Sequence, residues 1–577
     1  MIVAGLETRD FFPPFGQLGG PGEAPWILAA GIDPLDLTAH RGKDLLLVAR
    51  PTDANSGPDL GLYGPIGELS YPDGGNWRWN GQPVTLYVSA TTGRSTGNDD
   101  IPAATYVPSR LSASLNFGQS LFDGADPTRR SPPPQGEIAL ADPDGVLDYL
   151  LDYIWDGAAL TLKRGVRGAP FSTYDTVGQF NAANILADMD DKTIVLRDLG
   201  WQLSGPLHGN YYGGTGGLDG DASLAGQWKP YGVGYVFNAE PKLISAASQI
   251  FQASWTPIAN IFDLRHGGIS IDFWADYDTF EELAAADTIP SGWYATCLAE
   301  GLVRPNLTLQ FGIRVDMLGD STTAYGHATP TTRAAIARRV ATAYGTNRID
   351  DRSQIDVNSF AAVESRHSAL CGWYWSDVVS KADALDEIMA GILGYWRMKA
   401  NGQLAIGYIS NPARGSALNI AYKSYGMSKP AVVATTPPRA GTLMAWRRNY
   451  GPQVRSQLAG GVDDAAAAIY AQAARYAQSI SPAVQRLYPT AQLTTMQGNF
   501  WNEADALVEC SRQQGLLETE RKRWRWSMTV DPFLDLTGAG LTLTGLQRLG
   551  AGAALPLLVA GMDTQGTSRT TFDLWGS

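Results

Sequence analysis

Gly93-Arg-Ser95-Thr-Gly97 matches the hydrolase pattern G-x-S-x-G letter by letter. That pattern does chemistry only where a strand delivers the serine onto a sharp turn and a helix comes next, leaving Oγ clear of the backbone. A strand is expected over residues 85–89, but the motif runs on into Asn98-Asp-Asp-Ile-Pro102, with an early proline and no helical period. Ser95 is therefore read as part of a solvated polar loop. The chain carries no HExxH helix, no Walker A loop and no EF-hand loop. Its five histidines, His40, His208, His266, His327 and His367, are scattered singly, and Cys297, Cys371 and Cys510 lie far apart. Such spacing supplies neither a zinc knuckle nor a disulfide framework. Isolated reduced thiols, no metal, no cofactor, no catalytic residue and synthesis in a reducing cytoplasm are the expectation.

The most pointed local feature is Arg521-Lys522-Arg523-Trp524-Arg525-Trp526. On a strand of period two, Arg521, Arg523 and Arg525 share one face, and Lys522, Trp524 and Trp526 share the other. One reading is a strip for single-stranded nucleic acid, with guanidinium groups on phosphates and indoles stacked on bases. The preferred reading is a strand with one face in a core or interface and the other in solvent, and Lys522 to Trp526 are kept as interface candidates. The Gly-rich stretch Tyr211-Tyr-Gly-Gly-Thr-Gly-Gly-Leu-Asp-Gly220 lacks the GxGxxG register of a phosphate loop and reads as a flexible surface loop. Its tyrosines, with Trp77 and Trp79, would suit a sugar platform or a protein interface alike.

The chain has 577 residues, 44% of them hydrophobic and only 18% charged, with 64 glycines and 34 prolines. This describes a soluble chain dense in turns, and at roughly 150 residues per domain about four domains are expected. The net charge of −13 has the wrong sign for a dedicated nucleic-acid binder. No window approaches the ~18 apolar residues of a membrane span, and the start of the chain lacks a signal-peptide pattern.

The elements that must position these residues are mostly strands. Runs at 83–88, 137–140, 159–163 and 193–197 read as strands, with Asp142-Pro-Asp-Gly145 a strong turn between them. Thr329-Pro330 reads as the start of a helix with Ile336, Val340 and Tyr344 on one face. The best helical period runs from Ser380 to Trp396, and Asn401-Gly402 then predicts a hairpin. In the last third a strand at 441–446 precedes an Ala-rich helix over 463–479, stopped by Ser481-Pro482, and a helix over 502–517. Strands return at 524–530, 554–560 and 570–574. The pattern is a mixed α+β multidomain chain, β-rich towards both ends.

The order of segments resembles the tail-tip hub proteins of long-tailed non-contractile phages and gene-transfer particles. The residues that carry it begin with Gly136-Glu-Ile-Ala-Leu-Ala-Asp-Pro-Asp-Gly145, Trp155-Asp-Gly157 and Leu162-Lys-Arg-Gly165. Leu186-Ala-Asp-Met-Asp-Asp191 and Leu196-Arg-Asp-Leu199 complete that strand set. Gly216-Gly-Leu-Asp-Gly-Asp221 with Lys229-Pro230 and Gly234-Tyr-Val-Phe-Asn238 come next, then Tyr294-Ala-Thr-Cys297 and Glu300-Gly-Leu302. In the second half come Leu393-Gly-Tyr-Trp396, Asn401-Gly402, Gln403-Leu-Ala-Ile-Gly407, Trp446-Arg-Arg-Asn-Tyr450 and Phe572-Asp-Leu-Trp-Gly576. The similarity spans roughly residues 105–577, and its strength lies in the order.

The resemblance implies a structural virion protein at the tail tip, assembled in the host cytoplasm and without catalytic activity. It implies two hub β-barrels, at 106–205 and 411–577, with a mixed α/β domain at 206–320 and a helical segment with a hairpin at 321–410. Residues 1–105 would form a β-rich domain whose role the sequence leaves open. The implied partners are two further copies in a homotrimer, the distal tail ring, the tape-measure protein and fibre or tip proteins. Genomic DNA would pass without specific binding, and no permanent membrane insertion is implied. Two other readings stand beside it: a receptor- or glycan-binding tail protein, and a hydrolase using Ser95.

Overall fold

In the computed structural model the described residues are 43–53, 85–90, 93–128, 135–197, 199–323, 327–345, 347–412, 418–421, 428–530, 534–545, 554–565 and 569–577. Most of the expected N-terminal domain, with His40, Trp77 and Trp79, lies outside them. The chain is β-rich and carries short helices. Thirteen strands among the described residues form one large sheet. Its main path runs Leu86–Ser89, Lys43–Asp53, Tyr153–Val166, Asp175–Ala187, Asp191–Arg197, Gln135–Ala141, Leu111–Ser120, Ala554–Gln565, Arg569–Gly576, Arg521–Thr529 and Ala431–Thr436.

This sheet joins two β units that keep separate cores. In the first, Ile138, Leu140, Leu160, Leu162, Phe180, Ile194 and Leu196 alternate inward, because successive side chains on a strand point to opposite faces. In the second, Trp524, Trp526, Met528, Phe572 and Leu574 do the same. The seam is the antiparallel pairing of Leu111–Ser120 with Ala554–Gln565, where Met562 faces Gln119 and Thr564 faces Phe117. Just beyond it the Leu121 N–H donates to the Ala560 carbonyl at 2.7 Å, and the Trp575 indole N–H donates to the Ala125 carbonyl at 2.8 Å.

A second sheet of nine strands occupies the middle of the chain. Its strand Tyr231–Ala239 is buried at all but one position. Val233 faces the large central core with Trp373 and the helix residues Ile336 and Val340. Val236 and Ala239 face another core with Met317 and Tyr374. A strand covered on both faces reads as a continuous apolar run, as Gly-Tyr-Val-Phe does here.

Three helices end or begin elsewhere than their sequence periods predict. The helix expected from Thr329-Pro330 starts at Arg333, after Thr332. The period from Ser380 is a helix only over Lys381–Ala390, with Ser380 accepting the Asp383 N–H. Gly391 and Gly394 weaken the helix, and Gly394–Met398 instead pairs with Leu404–Tyr408 across the expected Asn401-Gly402 turn. Trp396 thus keeps helical spacing on a strand. The Ala-rich helix covers only Asp464–Ala471, because Arg475–Ile480 is captured as an antiparallel partner of Gly441–Trp446. Ser481-Pro482 opens a short helix instead of stopping one.

Candidate functional site

The basic-aromatic strand lies inside the large sheet, between Arg569–Gly576 and Ala431–Thr436. Trp524 is 2% exposed and Trp526 is fully buried, and the Trp526 indole N–H donates to the Ser428 carbonyl at 3.1 Å. Neither indole is open to a base, so the single-strand reading fails on burial. Arg523 and Arg525 share the Asp573 carboxylate, at 2.7 and 3.1 Å, and Arg523 also donates to the Gly124 carbonyl beyond the seam. Lys522, 3.8 Å from Glu520, and Arg525 are the members of the interface candidates that reach solvent.

Ser95 sits on a two-residue strand, Arg94–Ser95, that pairs with Tyr106–Val107; no helix comes after it, and the nucleophile turn is absent there. The glycine loop closes on itself through Gly214 N–H to Asp219 carbonyl and Gly216 N–H to Gly220 carbonyl bonds. Lys229 seals it, donating to the Leu218 carbonyl at 2.9 Å and standing 3.6 Å from Asp219. That contact joins two motifs that the sequence shows only as neighbours. Tyr212 is 1% exposed with its hydroxyl on Gln252, so of the loop's two tyrosines only Tyr211 is open to a surface platform. The three cysteines are free and buried, and among the described residues no group of three side chains is placed to hold a metal ion.

The structure brings together, at one joint, the nine-stranded sheet and the last third of the chain. Ile313-Arg-Val-Asp-Met317 reads as an ordinary amphipathic strand, yet Arg314 and Asp316 are both 5% exposed. Asp316 holds the guanidinium of Arg265, which also reaches Asp263 at 2.6 Å and the Asn238 side-chain oxygen at 3.0 Å. Burial penalises the charged Arg265, but the Asp316 carboxylate outweighs it and raises its pKa. The Asn238 amide then donates to Asn449 at 2.8 Å and to the Gly451 carbonyl at 2.9 Å. Arg314 Nε donates to the same carbonyl at 3.0 Å. Asn238 sits at φ +55°, a left-handed conformation that asparagine tolerates better than most residues. Thus Gly234-Tyr-Val-Phe-Asn238 and Trp446-Arg-Arg-Asn-Tyr450, two of the motifs that carry the resemblance, meet in one buried network.

A second buried centre lies beside it. The Asp320 carboxylate accepts from the hydroxyls of Tyr231 (2.6 Å) and Tyr344 (2.9 Å) and from Arg339 (3.0 Å). Around it His208 stacks on Trp228 at 3.8 Å, and burial pushes the His208 imidazole down to about 3, which keeps it neutral. A third tie is Arg397, on the hairpin, with Asp535 at 2.6 Å. A cavity of about 960 Å³ lies between the first β unit and the helix Lys381–Ala390. Of its charged lining, Arg397 is engaged with Asp535, Asp386 with the Trp396 indole at 2.8 Å, Glu137 with Asn116 at 3.0 Å and Arg197 with Asp156 at 3.2 Å. These charges hold structural units together. The sequence carries no signal for them, since Arg265 and Asp316 sit in ordinary alternating strands and Asp320 just past the end of one.

No protein-family model matches the chain and no curated protein matches it. Among solved structures it is similar to the tail protein from Neisseria meningitidis MC58, with 8% identity, 81% of this chain and 95% of that chain covered, and a TM-score of 0.33. It is similar to the 43 kDa tail protein of prophage MuSo2 from Shewanella oneidensis, with 9% identity, 82% and 96% covered and a TM-score of 0.31. It is also similar to a chain of the virion of the native gene transfer agent particle, with 12% identity, 60% and 84% covered and a TM-score of 0.35.

Proposed function

We propose that this protein is a structural component of a phage-like tail, the hub at its tip. It would join the tail tube and its distal ring to the tip or fibres and line or gate the path of the genome. The observation that carries the reading is the seam. Two β units with separate cores stand side by side in one sheet through Leu111–Ser120 and Ala554–Gln565. Three copies of a chain built this way present six β units in a ring, matching a sixfold tube, and the two units are the places for the two hub barrels that the sequence resemblance implies. The buried ties of Arg265, Arg397 and Arg523 make each copy a stiff block, which suits a load-bearing part. The net charge of −13 suits a conduit that repels DNA. The distal ring, tape-measure protein and fibre or tip proteins are the partners this role requires.

Immunogold labelling of particles from the producing strain, with antibody against this protein, tests the reading. Gold confined to the tail tip is expected. Gold along shafts or on heads, or no labelling by an antibody shown to detect the native protein, would overturn it.

A further inference from the structure

One end of the first β unit is both acidic and apolar. There the turn after Gln135–Ala141 and the hairpin tip between Asp175–Ala187 and Asp191–Arg197 are fastened together. The Asp142 N–H donates to the Asp190 carbonyl at 2.6 Å, and Lys192 reaches Asp142 and Asp148, both at 2.9 Å. Asp188 accepts the N–H groups of Asp190 and Asp191, so the tip has a defined shape. At its summit Met189 is 91% exposed, with Leu186 and Val146 also in solvent, and Asp188 and Asp190 flank the methionine. An apolar side chain held this far out by an ordered turn is a protrusion without a partner among the described residues.

A patch of the opposite character lies on the nine-stranded sheet and the segment bonded to it. Phe262 is 45% exposed, stacks on Tyr235 at 5.6 Å and stands 6.0 Å from Trp501. The Arg447 guanidinium lies over Trp501 at 4.5 Å, and Arg475 lies over Trp446 at 5.1 Å. The Nε donors of both arginines are buried and lack a hydrogen-bond partner among the described residues. The carboxylate that acts on Arg447, Asp316, is held by Arg265, which also takes Asp263. Burial and then Arg475 lower the pKa of Arg447, as expected of two cations left facing each other.

We propose that the Met189 tip of one copy of the chain docks on the Phe262–Trp501–Arg447–Arg475 patch of the next copy, head to tail. The thioether sits against the rings, a contact that sulfur favours, and the carboxylates of Asp188 and Asp190 meet the two guanidinium groups. The two surfaces differ, so the contact is heterologous, and it closes into a ring only when the rotation per copy divides a full turn. The inference rests on the ring assembly proposed above and names the contact that closes it.

The test uses the full chain. In a Met189→Cys/Phe262→Cys variant, mild oxidation is expected to give intermolecular disulfides that stop at one closed species, and neither single variant should cross-link. The native thiols are buried and contribute little background. By sedimentation, Arg475→Glu and Asp190→Lys are each expected to weaken association about tenfold or more, and the double variant to restore it. Such rescue separates a contact from a folding defect. A wild-type oligomer that neither substitution weakens and the cysteines do not trap refutes this contact and leaves the ring standing. A wild-type chain that stays monomeric at every concentration reached overturns both.

Discussion

Lys381 is a lysine the fold holds at a cost, and the cost has a pH signature. It begins the helix Lys381–Ala390 but is only 1% exposed. Its ammonium donates to the Asn347 carbonyl at 2.7 Å. Burial, and after it the like charge of Arg348, push its pKa down to about 8 from the ordinary 10.5. At about 1.4 kcal/mol per pKa unit that difference corresponds to about 3 kcal/mol of destabilisation while the lysine is protonated. Between pH 8 and 10.5 the unfolded chain keeps this proton and the folded chain releases it, so raising the pH favours the folded state. The penalty is fully present below pH 8 and gone above 10.5. Lys381→Met keeps the apolar stem, removes the ammonium and leaves one carbonyl unpaired, at about 1 kcal/mol. The variant is therefore expected to be more stable than wild type by about 2 kcal/mol at pH 7, with the gain vanishing, and slightly reversing, by pH 10.5. Paired urea titrations at pH 7, 8.5 and 10 measure this, and taking the difference cancels the tyrosines that also titrate in that range. A variant less stable than wild type at pH 7, or a difference that stays constant across the series, refutes the reasoning.

Other outcomes rest on the same packing. Gly234→Ala should lower the melting temperature sharply, because Gly234 has φ +68° and an added Cβ would overlap the Cys371 carbonyl oxygen and lie 2.9 Å from Ile336 Cδ1; unchanged thermal unfolding would disprove the close approach. Arg265→Met strands Asp316 in the joint and should cost about 3–5 kcal/mol, while Arg265→Met/Asp316→Leu should cost less than that single change. A urea-unfolding cycle decides it, and a double variant worse than the single one would count against the paired-charge account. Trp526→Ala should cost about 3–5 kcal/mol, whereas Arg525→Ala should stay within about 0.5 kcal/mol. Both should leave the retention of single-stranded DNA in a filter assay unchanged, and a loss of binding with Trp526→Ala would reopen the stacking strip.

Local chemistry that depends on neighbours in sequence was legible without a structure. The Asn401-Gly402 hairpin, the Ser380 cap and the alternating core strands around Ile138, Ile194 and Trp524 derive from turn geometry, capping and period two, all of which act within a few residues. The missing helix after Ser95 was legible for the same reason. Tertiary pairing decided where that logic was overruled. Trp396 and Arg475–Ile480 left helical periods because a partner strand offered hydrogen bonds along its whole length. Only the assembled sheet could show that Arg521 and Arg523, on the face opposite Trp524 and Trp526, are buried as well and that the two β units share the seam at Leu111–Ser120. The same holds for Arg265, Asp316, Asn238 and Asn449. A buried charge and a solvated one look identical in an alternating strand, and the difference between them is set by which distant segment arrives to exclude water and supply the partner.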